Sequence, residues 1–218
     1  MKSTLSLPRA EELFDKISQD NEVLRIFKYH SLRVMYFSAL LSKKVGCYDE
    51  DLRIASLFHD IGKIGLSKDI LLKPTKLDAL EYQIIQAHSV IGNNILRKTL
   101  NLPRAAIFVR DHHERWDGKG YPRGLKENEI SIQGRIIGIC DAFDTMTIDR
   151  RHYNLQTLTY KEAFIELERC SWSQFDGELV AKFKLLIEDL ELPSSEKWAE
   201  DEFLMDKLMG HVFINCFN

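Results

Sequence analysis

Five of the seven histidines in this chain recur at a beat that surface composition does not produce: His30, His59, His88 and the adjacent pair His112 and His113. Two acids extend the series, Asp60 directly after His59 and Asp141 one interval beyond His113. The intervals are roughly two dozen to thirty residues. A helix rising ~1.5 Å per residue covers an outward run, a turn and a return in that length. Each return brings the next side chain to the same end of a helical bundle. Imidazole with carboxylate suits a borderline transition metal rather than the all-oxygen cage of calcium. No thiolate joins the series, which disfavours a structural zinc knot. The spacing points to a catalytic metal site.

Taken singly, each residue has a plainer reading. A lone helical histidine such as His88 is more often hydrogen-bonded or exposed than a ligand, and His112 with His113 could be two solvated residues ahead of a loop. Asp141 and Asp144, one helical turn apart, could be a surface pair, but Ile136, Ile137, Ile139, Cys140 and Phe143 surround them in sequence. A carboxylate in such a setting is costly unless it is paired or bound to metal. The joint pattern favours ligation. Neighbouring helical residues diverge by ~100°, so His59 with Asp60, and His112 with His113, reach two ions more easily than one. Asp60, with two oxygens, is suited to bridge them. Two ions ~3.5–4 Å apart can hold a hydroxide and clamp the oxygens of a displacement at phosphorus. The chemistry suggested is phosphoester hydrolysis.

The elements that must position these groups are helical. Residues 22–45 set Val23, Phe27, Val34, Phe37, Leu41 and Val45 near one face with His30 among them. A helix opened by Asp49 leads to His59 and Asp60, where Gly62 and Gly65 break the pattern. A helix carries Leu80, Ile84, Ile85 and His88, and another follows through Ile91, Ile95 and Leu100. Pro103 restarts the chain towards His112. Residues 116–130 hold three glycines and a proline and read as a loop, with room for a small hairpin. Helices over 131–148, about 159–170 and about 176–191 follow, the last opened by Asp176-Gly177-Glu178. The expectation is an all-α fold, a single helical bundle over 22–192. Residues 1–21 form an N-terminal extension and 193–218 a C-terminal helical extension. That last segment, with Trp198, Phe203, Leu204, Leu208, Val212 and Phe213, is expected to pack on the bundle, a homodimer contact being the alternative.

Bulk properties agree with a globular protein of 218 residues, 44% hydrophobic and 29% charged. A net charge of −3 gives no global attraction to polymeric nucleic acid or to an anionic membrane. Cys47, Cys140, Cys170 and Cys216 form no CxxC pair, and three lie in apolar or helix-patterned stretches, so reduced, buried thiols are expected. The N-terminus lacks the apolar stretch of a signal peptide and no segment approaches the ~20 apolar residues of a membrane span. A cytoplasmic location is expected.

The segments HSLRV (30–34), SLFHDIGKIG (56–65), QAHSVIG around His88, HHERWDGKGYPRGLKENEI (112–130), RIIGICDAFDTMTIDR (135–150) and QFDGELV (174–180) resemble the HD-GYP subgroup of the HD-domain metal-dependent phosphohydrolases. The resemblance implies hydrolysis of the bacterial second messenger cyclic di-GMP to linear pGpG, and in some members on to GMP. Its cofactors would be two divalent ions per chain, iron or manganese. It also implies that His30, His59, Asp60 and Asp141 hold one ion, with Asp60 bridging to a second held by His88, His112 and His113. Lys63 would set an ammonium on a phosphate or leaving oxygen. Arg150 would fork onto a phosphate. Asp144 would orient Lys63 or another group behind the ligands. Gly120, Tyr121 and Pro122 would shape the pocket lip or a surface for a regulatory protein partner, and Trp116 a lip or core aromatic. Arg115, Lys119, Arg123 and Lys126 would give that loop a local positive field.

Two departures from the family pattern matter. Ile26 stands where some members place a third-metal glutamate four residues before the first histidine, so two ions are expected. After Arg150 the usual DRPYR/K run becomes Arg151-His152-Tyr153-Asn154, with Arg151 or His152 standing in for the later substrate-binding charge. Another cyclic dinucleotide or nucleotide phosphoester, or a binding module without turnover, are the alternatives. Few residues precede the match, too few for a sensory domain. The chain is therefore either free-standing and partner-regulated or an excerpt of a longer protein. Because imidazole ligands must be neutral and titrate near ~6.5, metal occupancy is expected to fall below about pH 6.

Overall fold

The computed structural model describes residues 6–147, 157–190 and 192. In chain order the helices are α1 (Leu7–Asp20), α2 (Glu22–Lys44), α3 (Glu50–Leu57), α4 (Lys68–Leu71), α5 (Ala79–Asn94), α6 (Pro103–Asp111), α7 (Ile132–Thr147), α8 (Tyr160–Arg169) and α9 (Gly177–Asp189). Among the described residues there is no strand beyond two isolated bridges, Asp117 with Lys126 and Ser171 with Phe175. No described helix is long and apolar enough to cross a membrane. The fold is all-α.

Local chemistry sets the helix starts. Asn21 accepts from the N–H groups of Val23 and Leu24, Asp49 from Leu52, and Asp176 from Glu178 and Leu179. Asp78 with Glu81, and Thr159 with Glu162, close reciprocal capping boxes. Each satisfies backbone donors that a helix start leaves unpaired.

The central helix is α2, packed against α1, α3, α7 and α9. Phe37 of α2, Phe143 of α7, Phe164 of α8 and Phe183 of α9 form one buried aromatic cluster with ring centroids 5.1–5.9 Å apart. Edge-on packing of this kind adds directionality to simple burial. It fixes α7 against α2, and so Asp141 against His30.

The segment before residue 22 joins the same core. Leu7, Ala10 and Phe14 recur at helical spacing on the buried face of α1, and Phe14 meets Phe58 edge-on at 5.3 Å. Arg53, fully buried on α3, reaches Glu11 of α1 at 3.4 Å. Three further details differ from the sequence reading. The glycines at 62 and 65 do not end regular structure but sit in a 3-10 turn, Ile61–Gly65. The helix expected after Ile91 is a continuation of α5 through a π turn, Ile95–Thr99. Of the described cysteines only Cys140 is buried; Cys47 and Cys170 are half-buried, and all three are free thiols. Cys216, Arg150, Arg151, His152 and the segment 193–218 lie outside the described residues.

Candidate metal centre

Five pieces of backbone converge at one end of the bundle. His30 comes from the middle of α2 and Asp141 from the middle of α7. His59 and Asp60 occupy the turn between α3 and the 3-10 turn; His88 lies on α5; His112 caps α6 and His113 follows it. Because α3 and α6 stop just before their ligands, adjacent side chains escape the ~100° divergence of a continuing helix. His30, His59, Asp60, His88 and His112 are buried.

The ligand atoms fall into two nests. His30, His59 and Asp141 present atoms within 4.8 Å of one another, and so do His88, His112 and His113. Asp60 stands between them. Its Oδ2 lies 3.5 Å from His59 Nε2 and 3.8 Å from His30 Nε2, while its Oδ1 lies 3.6 Å from His88 Nε2. One oxygen faces each nest, the arrangement expected of a bridging carboxylate.

The donor set suits a metal ion. His59 Nδ1 donates to the Ser56 carbonyl (2.8 Å), His88 Nδ1 to Ile85 (2.6 Å) and His112 Nδ1 to Val109 (2.5 Å). His30 Nδ1 meets Asp144 Oδ2 at 2.7 Å. With the proton held on Nδ1, Nε2 of His59, His88 and His112 carries a bare lone pair. Yet His30 Nε2 lies 3.2 Å from His59 Nε2, and His88 Nε2 3.4 Å from His112 Nε2. Ring nitrogens converging at that distance suit a cation held between them. The residues fit two metal ions.

Titration shifts carry the same message. Burial pushes the His59 pKa down, lowers His88 and His112 to about 4, and holds His113 well below the usual imidazole range. These rings are neutral and ready to ligate well below neutral pH. At His88 and His112 protonation in the metal-free chain is thus displaced to about pH 4. His30 differs: burial opposes its imidazolium, but the carboxylates of Asp141 and Asp144 outweigh burial and raise its pKa. Burial likewise opposes ionisation of Asp60 and Asp141. Lys63 and the imidazoles around Asp60, and His30 beside Asp141, nevertheless hold both carboxyls well below the usual range.

The nests open into a cleft of about 730 Å³. Lys63 lines it, its ammonium 2.5 Å from Asp60 Oδ2 and 4.1 Å above the Phe27 ring. Asp144 does not orient Lys63. It takes a two-pronged bond from Arg33, Nε to Oδ1 at 2.6 Å and a terminal nitrogen to Oδ2 at 3.1 Å, and faces His30. Arg33 escaped the sequence reading because a lone helical arginine normally points to solvent; its only signal was its place one turn after His30, as Asp144 is one turn after Asp141.

The Gly/Pro-rich loop forms the lip. Glu114, buried, accepts the N–H groups of Arg123 (2.7 Å) and Leu125 (2.9 Å) and folds the loop round itself. A Cβ on Gly120 would lie 2.6 Å from the His113 carbonyl oxygen, so only glycine lets the loop pass there. Tyr121 then lies 4.8 Å from the His113 ring, centroid to centroid. Trp116 meets Trp172 at 5.5 Å, and the Arg135 guanidinium lies 5.6 Å from its ring. The loop's positive field is weaker than its composition suggests: Arg115 pairs with Asp117 and Arg123 with Asp111, while Lys119 lines the cleft.

Comparison with known proteins agrees. The family model described as HD domain matches residues 12–179. The chain is 39% identical over 166 residues to a "Cyclic di-GMP phosphodiesterase" of Thermotoga maritima, covering 74% of this chain and 45% of that protein. It is 43% identical over 124 residues to "3'3'-cGAMP-specific phosphodiesterase 3" of Vibrio cholerae, covering 56% of this chain and 27% of that protein. The chain thus spans less than half the length of these relatives. A solved structure, the HDG"Y"P protein Bd1817 of Bdellovibrio bacteriovorus, superposes with a TM-score of 0.60 at 16% identity, covering 83% of this chain and 62% of that one. That likeness concerns the fold.

Proposed function

The chain belongs to the HD domain family and carries the HD-GYP motifs, and on that premise we propose that it hydrolyses cyclic di-GMP to linear pGpG at a centre of two divalent ions, iron or manganese. The observation that carries this reading is Asp60, one oxygen turned to each nest of ligands. Bound there, the ions supply Lewis acidity and an activated water for attack at phosphorus. His30, His59 and Asp141 hold one position, His88, His112 and His113 the other, and Asp60 joins them. Lys63 keeps a positive charge beside Asp60 at the cleft wall, where it meets a phosphate oxygen and steadies charge on the leaving oxygen. Tyr121 braces His113 from the lip side, which holds that ring for ligation. Arg150 and Arg151 complete phosphate binding in this reading. Ile26, half exposed on α2, offers no ligand where a third ion would need one.

The 3'3'-cGAMP relative favours a second substrate of the same class, and one assay separates them. Protein purified without chelator and without oxygen is analysed for metal per chain, then incubated with cyclic di-GMP or 3'3'-cGAMP and the products are resolved by chromatography. Two ions per chain with pGpG formed from cyclic di-GMP is the expected result; GMP would report a second step. Preferential cleavage of 3'3'-cGAMP would reassign the substrate. Two ions without cleavage of either would leave a binding module, and a chain that takes up no metal after reconstitution would overturn the reading.

A further inference from the structure

The two halves of the centre are supported differently. His59, His88 and His112 each anchor Nδ1 on a carbonyl three residues back in their own helix. His30 alone is anchored by a side chain from another helix, the Asp144 carboxylate of α7. That carboxylate is 1% exposed, and its partner on the far side is Arg33, 4% exposed, gripping both oxygens. His30 and Arg33 are one turn apart on α2; Asp141 and Asp144 are one turn apart on α7. The two helices therefore meet through a ladder in which His30 touches both acids, Nε2 at 3.2 Å from Asp141 and Nδ1 at 2.7 Å from Asp144, and Arg33 closes the end.

A carboxylate with no second partner could rotate about its terminal bond and present either oxygen to His30, or none. The planar fork of arginine removes that freedom, because two parallel N–H donors fix the plane of the carboxylate as well as its distance. The orientation of Asp144 in turn fixes the His30 ring and keeps its proton on Nδ1. No equivalent side-chain support stands behind His59, His88 or His112.

We propose that Arg33 is a positioning residue for one half of the centre: acting through Asp144, it aims His30, so that the His30–His59–Asp141 position depends on it and the His88–His112–His113 position does not. This rests on the dinuclear reading above for its consequence in metal binding, but the aim of the His30 ring is a property of the chain itself.

The test uses the full chain with four variants, Arg33→Met, Arg33→Lys, Asp144→Asn and the double Arg33→Met/Asp144→Asn. Two readouts are taken. Long-range nitrogen–proton NMR on the metal-free protein reports the tautomer of each ring. Manganese titration reports stoichiometry and affinity. Arg33→Met is expected to disturb the His30 tautomer while His59, His88 and His112 keep theirs, and to weaken one of two ions about 10- to 100-fold, the range for supporting partners of metal ligands. Arg33→Lys keeps the charge without the fork and recovers part of the loss. The double variant is expected to be no worse than the poorer single one, since both changes cut the same chain of contacts. It also removes both buried charges, so it keeps the test decisive if Arg33→Met alone fails to fold. Equal weakening of both ions, independent losses that multiply in the double variant, or an unchanged His30 tautomer in Arg33→Met would each overturn the proposal. A wild-type chain that binds no manganese would instead refute the dinuclear reading, while the tautomer measurement would still decide the role of Arg33.

Discussion

Gly62→Ala is the sharpest perturbation of how the halves of the centre are held together. Gly62 sits in the 3-10 turn between Asp60 and Lys63, with its Cα against the backbone of α5. A Cβ there would lie 1.9 Å from the His88 carbonyl oxygen and 2.7 Å from the Gly92 nitrogen. Ordinary contact begins near 3.4 Å, so the turn and α5 must separate by about 1.5 Å. Both obstacles are backbone, so no side chain can swing aside. Asp60 Oδ1 and His88 Nε2, now 3.6 Å apart, would move to roughly 5 Å. Two ligands at ~2.0–2.2 Å from one ion cannot be more than about 4.4 Å apart. The link between Asp60 and the His88 nest is therefore broken, and the variant should retain one ion per chain fewer than the parent. Overpacking of a tight contact costs about 1–3 kcal/mol, and each kcal/mol lowers Tm by about 2–4 °C in a chain of this size. Metal counting after buffer exchange and a thermal melt followed by circular dichroism check both. Gly65→Ala is the control: in the same turn, its Cβ would meet only Ile91 side-chain atoms at 3.3 and 3.4 Å, and it should keep the parent's metal content. A Gly62→Ala protein with the parent's ion count and melting temperature would refute the argument.

Other outcomes can be checked as directly. Asp60→Ala should lose both ions, whereas Lys63→Ala should keep them and lose turnover; metal retention in the first variant would remove the bridge. For the metal-free chain, His88 and His112 have pKa values of about 4 folded against about 6.5 unfolded, so the unfolded state takes up protons first as pH falls. Their contribution to stability is intact above about 6.5 and declines until about 4, and urea midpoints should be lower at pH 5 than at pH 7. Glu114→Ala leaves the N–H groups of Arg123 and Leu125 without their acceptor, at about 0.5–1.5 kcal/mol for each hydrogen bond lost. Limited proteolysis should cut within 115–125 about tenfold faster or more; an unchanged rate would mean that Glu114 does not clasp the loop.

Much of this was legible in the sequence because the ligands are spaced by whole helical hairpins and the helix starts carry caps of recognisable type, Asp49 and Asp176 among them. The metal ligands could be collected without knowing any crossing angle, since each recurs after about one helical hairpin and so returns to the same region of the bundle. What could not be read were contacts whose partners share no local pattern. Arg33 looks like an ordinary exposed cation until α7 brings Asp144 to it. Gly62 looks like a helix breaker until α5 is seen to occupy the space of its missing side chain. The burial of α1 follows from Leu7, Ala10 and Phe14, whose period is clear, but nothing local says that α3 supplies the other wall. The titration of His88 and His112 was hidden for a related reason: burial, not chemistry along the chain, lowers both.

The three histidines that bond a carbonyl three residues back have a consequence for loop length. Their aim is inherited from the helix that carries or precedes each ring and needs nothing from the segments between helices. Those segments can then lengthen or change course at the cost of loop-closure entropy alone, about 0.6 kcal/mol for each doubling of length. The 114–131 connection, which borders the cleft, is thus free to vary what enters it while these three rings stay fixed on the same point.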